Sequence, residues 1–407
     1  MRCRSHGARP VADLKVRHCT FALMFDVRQK IGILGGGQLG KMLCQAAADW
    51  HLPVLVLDPT PDAPAASLCR EFTVGDFRDY DTVWAFGQKA DLLTVEIEQV
   101  NVQALYALEQ AGKIVHPAPR ALEIIQDKGR QKAFYAEHGI PTASFECFDD
   151  EQALLEALRS RRWSLPLVQK TRTAGYDGRG VALLRTPEDL ERKLLRGPCV
   201  AEEWVPLRAE VAVIAARNAR DEVAVFPPVE MDFHPEANLV EMLLCPARLS
   251  PFEAAEAEAL AERVIRTFDV CGLLAVEMFL TQEGRLLVNE VAPRPHNSGH
   301  HTIEAAHTSQ FQQHLRAITN LPLGDTALRS PAAMLNVLGA PEHRGPAHYI
   351  GVEDLLAEPG VYLHLYGKPT TAPFRKMGHI TVTASTLEAV LQKAARMREV
   401  VRVVSQG

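Results

Sequence analysis

From Lys30 the chain reads KIGILGGGQLGKMLCQAAADWHLPVLVLD: an apolar run, a glycine turn, an amphipathic segment and a second apolar run ending at Asp58. The run Ile31 to Leu34 enters Gly35, Gly36, Gly37 and Gly40, and the next residues set Leu39, Met42 and Leu43 on one helical face. A strand at 91–96, a helix at 101–111 and a short strand at 114–115 continue the alternation up to HPAP at 116–119. Strands joined through helices run parallel, so this pattern constrains the first part of the chain to an α/β fold.

With 407 residues, and roughly 150 per domain, the chain has room for two or three units. After HPAP the spacing predicts a helix over 120–138 and alternating strands and helices over 144–195. A strand-rich region at 199–291 is interrupted by a helix at 252–268, and a further helix follows at 308–319. The tail mixes strands at 332–338, 361–366 and 379–384 with a helix at 387–399, which gives the C-terminal part α+β character. Lys and Arg number 44 against 50 Asp and Glu, a balance that argues against a nucleic-acid partner. No apolar run reaches the roughly 18 residues of a membrane span. The eight cysteines are scattered with no metal or CxxC spacing, as expected of reduced thiols in a cytoplasmic enzyme. Residues 1–27 are basic and irregular and read as a disordered or spurious extension, with Met24 an alternative start to Met1.

Several segments carry chemistry. Gly35-x-Gly37-x-x-Gly40 with Asp58 has the outline of a dinucleotide turn, but a turn for some other phosphate is favoured over it, with a purely structural turn the remaining reading. LVQKTRTAGYDGRGV, at 167–181, ends a strand on Lys170 and opens a loop with Gly175, Gly178 and Gly180 beside Arg179. Inward-turned amides and two cations suit a polyphosphate, and the loop reads as a mobile cover. Glu277 and Glu290 each interrupt an apolar strand of one hairpin. A two-residue loop at Glu283-Gly284 sets them face to face and a four-residue loop makes them diagonal neighbours, roughly 5–8 Å apart. A three- or five-residue loop would split them. Two buried carboxylates so placed call for a cation, and magnesium, which shares its oxygen ligands with phosphates, is the natural one. APRPHNSGHHT, at 292–302, follows as a polar substrate loop with Arg294, His296 and Asn297. Lys368, Arg375 and Lys376 form a cationic patch for one phosphate monoester.

Together, GGGQLGKM, TVEIEQV, QDKGRQK, TAGYDGRG, NEVAPRPHNSGH and FRKMGH resemble the ATP-grasp enzymes, and within them the 5-(carboxyamino)imidazole ribonucleotide synthases, over about residues 29–400. The resemblance implies a Rossmann-like substrate-binding domain at 28–119, a central ATP-grasp lid at 120–198, and a C-terminal ATP-grasp domain at 199–407 with a small terminal β/α subdomain. It implies ATP and Mg2+ as cofactors and a homodimer. The implied reaction carboxylates aminoimidazole ribonucleotide with bicarbonate through carboxyphosphate, releasing ADP and phosphate. Carried over by position, Lys128 and Lys170 contact ATP phosphates under the cover Gly175 to Val181. Glu202, Glu203, Trp204 and Val205 form the adenine edge and hinge, Glu210 accepts ribose hydroxyls, and His234 is a further nucleotide contact. Asn289 accompanies the metal ligands Glu277 and Glu290. Tyr176, Asp177, Arg179 and His296 line the carboxylation site, where Asp177 or His296 accepts the amine proton. Gln38, Leu39, Glu96, Arg294, Asn297, Lys368, Arg375 and Lys376 hold the ribonucleotide, so the first glycine turn serves a ribose-phosphate. Ala174 and Val181 depart from the glycine and glutamine usual in such loops.

Two rival readings remain at this level: a formate-using relative acting on a glycinamide ribonucleotide, and a nicotinamide oxidoreductase resting on the glycine turn and Asp58.

Overall fold

A computed structural model describes residues 25–173, 180–233 and 240–405. Among these residues the first unit is a five-stranded sheet in the order Glu71–Val74, Val54–Asp58, Ile31–Leu34, Leu92–Val95, Ile114–Val115. All its pairings are parallel, as the alternation requires. The three central strands are buried along their whole length because both faces are covered. Leu34, Leu57 and Leu93 pack with Phe86, Leu105 and Leu108 on one face. On the other face Ile31, Ile33 and Val56 meet Leu39, Met42 and Leu43, together with Phe311, Leu315 and Ile318 of the distant helix Gln310–Ile318. That helix ties the first sheet to the large sheet described below.

The expected helix at 120–138 is two helices, Pro119–Ile125 and Lys128–Glu137. Asp127 caps the second one by accepting from the Gly129 and Arg130 amides. Leu122 packs into the first unit, whereas Ala121 and Ile125 pack into the core of the large sheet, so this helix sits at the seam. The second unit is an antiparallel sheet in the order Phe145–Phe148, Cys199–Glu203, Leu167–Thr171, Val181–Leu184, backed by helix Glu151–Arg159.

The third unit is a nine-stranded antiparallel sheet. Its path runs Leu286–Ala292, Gly272–Thr281, Leu207–Arg217, Val229–Phe233, Val240–Cys245, Ala332–Leu338, Lys376–Thr383, Val361–Leu365, with Val223–Val225 beside Leu207–Arg217. The tail strands therefore extend the same sheet. Alternation divides its two faces: Val211, Val213, Val276, Met278 and Leu280 pack beneath helix Pro251–Thr267, and Glu210, Ala275, Glu277 and Phe279 turn the other way.

Candidate active site

The three units enclose a cleft of about 970 Å³. Its wall includes Gln38, Leu39, Glu96 and Glu98 from the first unit and Val168, Lys170, Val181, Glu202, Glu203, Trp204 and Val205 from the second. Glu210, Glu277, Phe279, Asn289, Glu290, Arg294, His296, Asn297 and Lys376 come from the third, and Lys128 from the helix between.

The glutamate hairpin differs from either favourable loop. Thr281 donates its amide to the Arg285 carbonyl at 2.9 Å, and Gly284, at φ +80°, donates to Thr281 O at 3.0 Å, so the turn holds three residues, Gln282 to Gly284. Unmodified, that register would oppose Glu277 to Asn289. A bulge restores the pair: Met278 faces Val288 while Glu277 faces Glu290, which leaves Asn289 as the extra residue. Asn289 and Glu290 consequently both line the cleft with Glu277.

Cations from two other elements reach this oxygen cluster. Lys128 Nζ bonds Glu290 Oε2, and Lys170 Nζ donates to Asn289 Oδ1 at 2.7 Å and lies 3.0 Å from Glu202 Oε1. Lys132, absent from the sequence reading, sits 3.1 Å from Glu202 Oε2. Glu202 thus lies between two ammonium groups. The Lys128 charge holds the Glu290 carboxyl below its ordinary range, whereas burial and the charge on Glu290 push Glu277 well above it. Glu210 is pushed up to about 7 by burial. His296 Nε2 stands 3.5 Å from Glu277 Oε1, and its Nδ1 is 2.9 Å from Ser298 Oγ. Gln310, wholly buried, fixes that loop by accepting from His296 N at 2.8 Å and donating to His296 O at 2.7 Å.

No group of three or more His, Cys, Asp or Glu side chains converges on a metal position among the described residues. Glu277, Glu290 and Asn289 nonetheless fit magnesium. All three donors are oxygens, Glu277 is destabilised as an anion without a cation, and the shell is left incomplete for phosphate oxygens to finish.

The glycine turn is not a dinucleotide site. Asp58 Oδ2 accepts from Gly36 N at 2.8 Å, and Glu96 accepts from Gly37 N and Gly40 N, each at 2.9 Å. Carboxylates of the chain itself occupy the amides a pyrophosphate would need. Gly35 is obligatory here: its φ is +103° and an added Cβ would lie 2.4 Å from Glu96 Cγ. Gln38 and Leu39 still line the cleft, where a smaller phosphate ester could meet them.

The cationic patch divides. Lys376 lines the cleft, but Lys368 and Arg375 do not. Lys368 Nζ donates to Lys376 O at 2.8 Å, and Arg375 Nη1 donates to Thr370 O at 2.7 Å, so both brace the turn that carries Lys376. Arg294 lines the wall with its guanidinium 2.8 Å from Glu98. Gly175, Tyr176, Asp177, Gly178, Arg179 and His234 lie outside the described residues. Sequence reading missed the apolar part of the cleft, Val168, Leu183, Met231 and Phe279, because such residues look like ordinary strand interior.

Three family models match the chain: a ribonucleotide synthetase preATP-grasp domain at 28–126, an ATP-grasp domain at 133–311, and a phosphoribosylaminoimidazole carboxylase C-terminal domain at 332–393. The N5-carboxyaminoimidazole ribonucleotide synthase of Brucella melitensis is 38% identical over 86% of this chain and 95% of its own length. The chain belongs to the N5-carboxyaminoimidazole ribonucleotide synthase family of ATP-grasp proteins. The crystal structure of the synthetase from Thermotoga maritima superposes with a TM-score of 0.85, at 42% identity, covering 93% of this chain and 100% of that one. A synthase of Aspergillus clavatus, in complex with ADP and 5-aminoimidazole ribonucleotide, gives 0.82 at 33% identity over 92% and 98%. The chain spans about two thirds of the chloroplastic phosphoribosylaminoimidazole carboxylase of Vigna aconitifolia, matching 66% of it at 39% identity over 91% of this chain. Membership agrees with the motif resemblance, and the ATP-grasp fold with its preATP-grasp unit is the one expected. Among the described residues no helix is long and apolar enough to cross a membrane.

Proposed function

We propose that this chain is an ATP-dependent carbon–nitrogen ligase of purine biosynthesis. It carboxylates the exocyclic amine of 5-aminoimidazole ribonucleotide with bicarbonate and releases ADP and phosphate. One observation carries the reading. The lysine and carboxylate cluster at Lys128, Lys170, Asn289 and Glu290 shares a single cleft with Gln38, Glu96 and Lys376, so a triphosphate and a ribonucleotide can lie end to end. The relative that binds ADP and 5-aminoimidazole ribonucleotide supports that pairing of ligands.

In this reading the adenine lies against Val168, Leu183, Met231 and Phe279, with the 202–205 segment at its edge and Glu210 accepting from the ribose hydroxyls. Lys128 and Lys170 bind the β- and γ-phosphates. Glu277, Glu290 and Asn289 would hold Mg2+, which when bound offsets the charge building between those phosphates. Bicarbonate attacks the γ-phosphate to form carboxyphosphate, whose carboxyl passes to the amine of the ribonucleotide held by Gln38, Leu39, Glu96, Arg294, Asn297 and Lys376. His296, oriented by Ser298 and clamped by Gln310, accepts the amine proton. Asp177, in the loop 175–181, is the other acceptor, and Tyr176 and Arg179 of the same loop complete the carboxylation site. We place the enzyme in the cytoplasm as a homodimer; the free thiols of Cys44, Cys199, Cys245 and Cys271 support a reducing compartment. The test is ADP release. It should require both bicarbonate and aminoimidazole ribonucleotide and ignore formate with glycinamide ribonucleotide; release with the second pair alone would overturn the reading.

A further inference from the structure

Behind the cleft wall the phosphate-side groups are joined by a closed ring of contacts. Helix Lys128–Glu137 presents Lys128 and, one turn later, Lys132 on the same side. Lys132, 2% exposed, lies 3.1 Å from Glu202 Oε2 and donates to Thr142 Oγ1 at 2.7 Å. The Thr142 hydroxyl donates a hydrogen bond to the Val288 carbonyl at 2.6 Å, and the Val288 amide donates to Pro141 O at 2.7 Å. Glu202 leads on to Lys170, Lys170 to Asn289 Oδ1, and Asn289 follows Val288 in the chain, which closes the ring. Neither Lys132 nor Thr142 lines the cleft.

Two features make this more than a buried salt bridge. Strand Leu286–Ala292 is the edge of the large sheet, and Pro141 and Thr142 satisfy its outward amide and carbonyl immediately before the bulged residue. That bulge is what turns Asn289 and Glu290 to the same face as Glu277. The ring also reaches the cleft: Glu202, Lys170 and Asn289 line it, so Lys132 bears on ligand-facing groups from behind the wall.

We propose that Lys132 and Thr142 are positioning residues for the cation and triphosphate end of the cleft. Thr142 pins the bulge so that Asn289 and Glu290 face the ligand together, and Lys132 sets Glu202, which in turn aims Lys170. The proposal rests on the reading of the cleft as a magnesium-nucleotide site.

The test is binding of a fluorescent ATP analogue to the full chain, titrated with Mg2+ and, in parallel, in EDTA, alongside thermal unfolding. Thr142→Val should weaken the Mg2+-dependent binding roughly 10–100-fold while binding in EDTA stays unchanged. Thr142→Ser, which keeps the hydroxyl, should restore the wild-type Mg2+ dependence. If Thr142→Val does not fold, Lys132→Met carries the test: it should weaken nucleotide binding in EDTA as well as in Mg2+, because Lys170 meets phosphate directly, and wild-type binding in both would overturn the proposal. Folded Thr142→Val with wild-type Mg2+ dependence overturns the proposal, as does Thr142→Ser failing alongside it. Wild-type protein that binds the nucleotide with no Mg2+ dependence overturns the reading of the cleft itself, and the proposal with it.

Discussion

Glu277 and Glu290 face one another across the hairpin; among the described residues Glu290 pairs with the ammonium of Lys128, and Glu277 meets the imidazole of His296 at 3.5 Å. The pair is thereby polarised. Glu290 is held as an anion, and Glu277, buried beside that anion, retains its proton far above the ordinary carboxylate range. A divalent cation entering between them must displace that proton.

Magnesium affinity should therefore rise with pH toward about 8 and then level off. Calorimetry at neutral pH in two buffers of different ionisation enthalpy should find about one proton released per ion; no release would contradict the polarised pair. The linked stability has the opposite sign. In the unfolded chain Glu277 loses its proton near 4.5, in the folded chain near 8, so its contribution is complete below the first value and disappears as pH rises through the second. Metal-free protein should unfold more easily as pH climbs through this window, and Mg2+ should reverse the trend.

Glu290→Gln should lower ATP turnover by roughly 10²–10³-fold while circular dichroism shows the fold intact. Unchanged turnover would remove Glu290 from the phosphate end of the cleft.

Lys376→Glu should raise the KM for aminoimidazole ribonucleotide and leave that for ATP nearly unchanged, because in the proposed function Lys376 holds the ribonucleotide while Lys128 and Lys170 hold the triphosphate. Arg375→Ala should have a smaller effect, since Arg375 points to Thr370. A selective loss of ATP affinity in the first variant would place the ribonucleotide elsewhere.

Glu96→Ala should destabilise the protein by about 1–3 kcal/mol in urea unfolding, because the Gly37 and Gly40 amides lose their acceptor. NADH titration of the wild type should show no binding.

These variants also mark how far the sequence could be read. The parallel first sheet followed from strand and helix alternation, and the Glu277–Glu290 pairing from two carboxylates in apolar strands. The turn length did not. A three-residue turn should have separated the pair, and the bulge that rescues it depends on Pro141 and Thr142, about 146 positions away in the chain. Strand Glu71–Val74 escaped notice because it is largely exposed and shows no apolar period. Asp127 carried an N-cap signal inside QDKGRQK that marks the break between the two helices read as one. Lys368, Arg375 and Lys376 looked alike in a row, and only the path of the turn separates the one that faces the cleft. Lys132 and Gln310 gave no signal, since a helical lysine or glutamine is usually solvated.

The central step is the attack of bicarbonate on the γ-phosphate inside this cleft. The direct measurement is turnover with ATP, aminoimidazole ribonucleotide and ¹⁸O-labelled bicarbonate, followed by mass analysis of the inorganic phosphate. The phosphate should carry label from bicarbonate and form only when the ribonucleotide is present. Unlabelled phosphate would mean that water, not bicarbonate, takes the γ-phosphoryl group, and the account would be wrong.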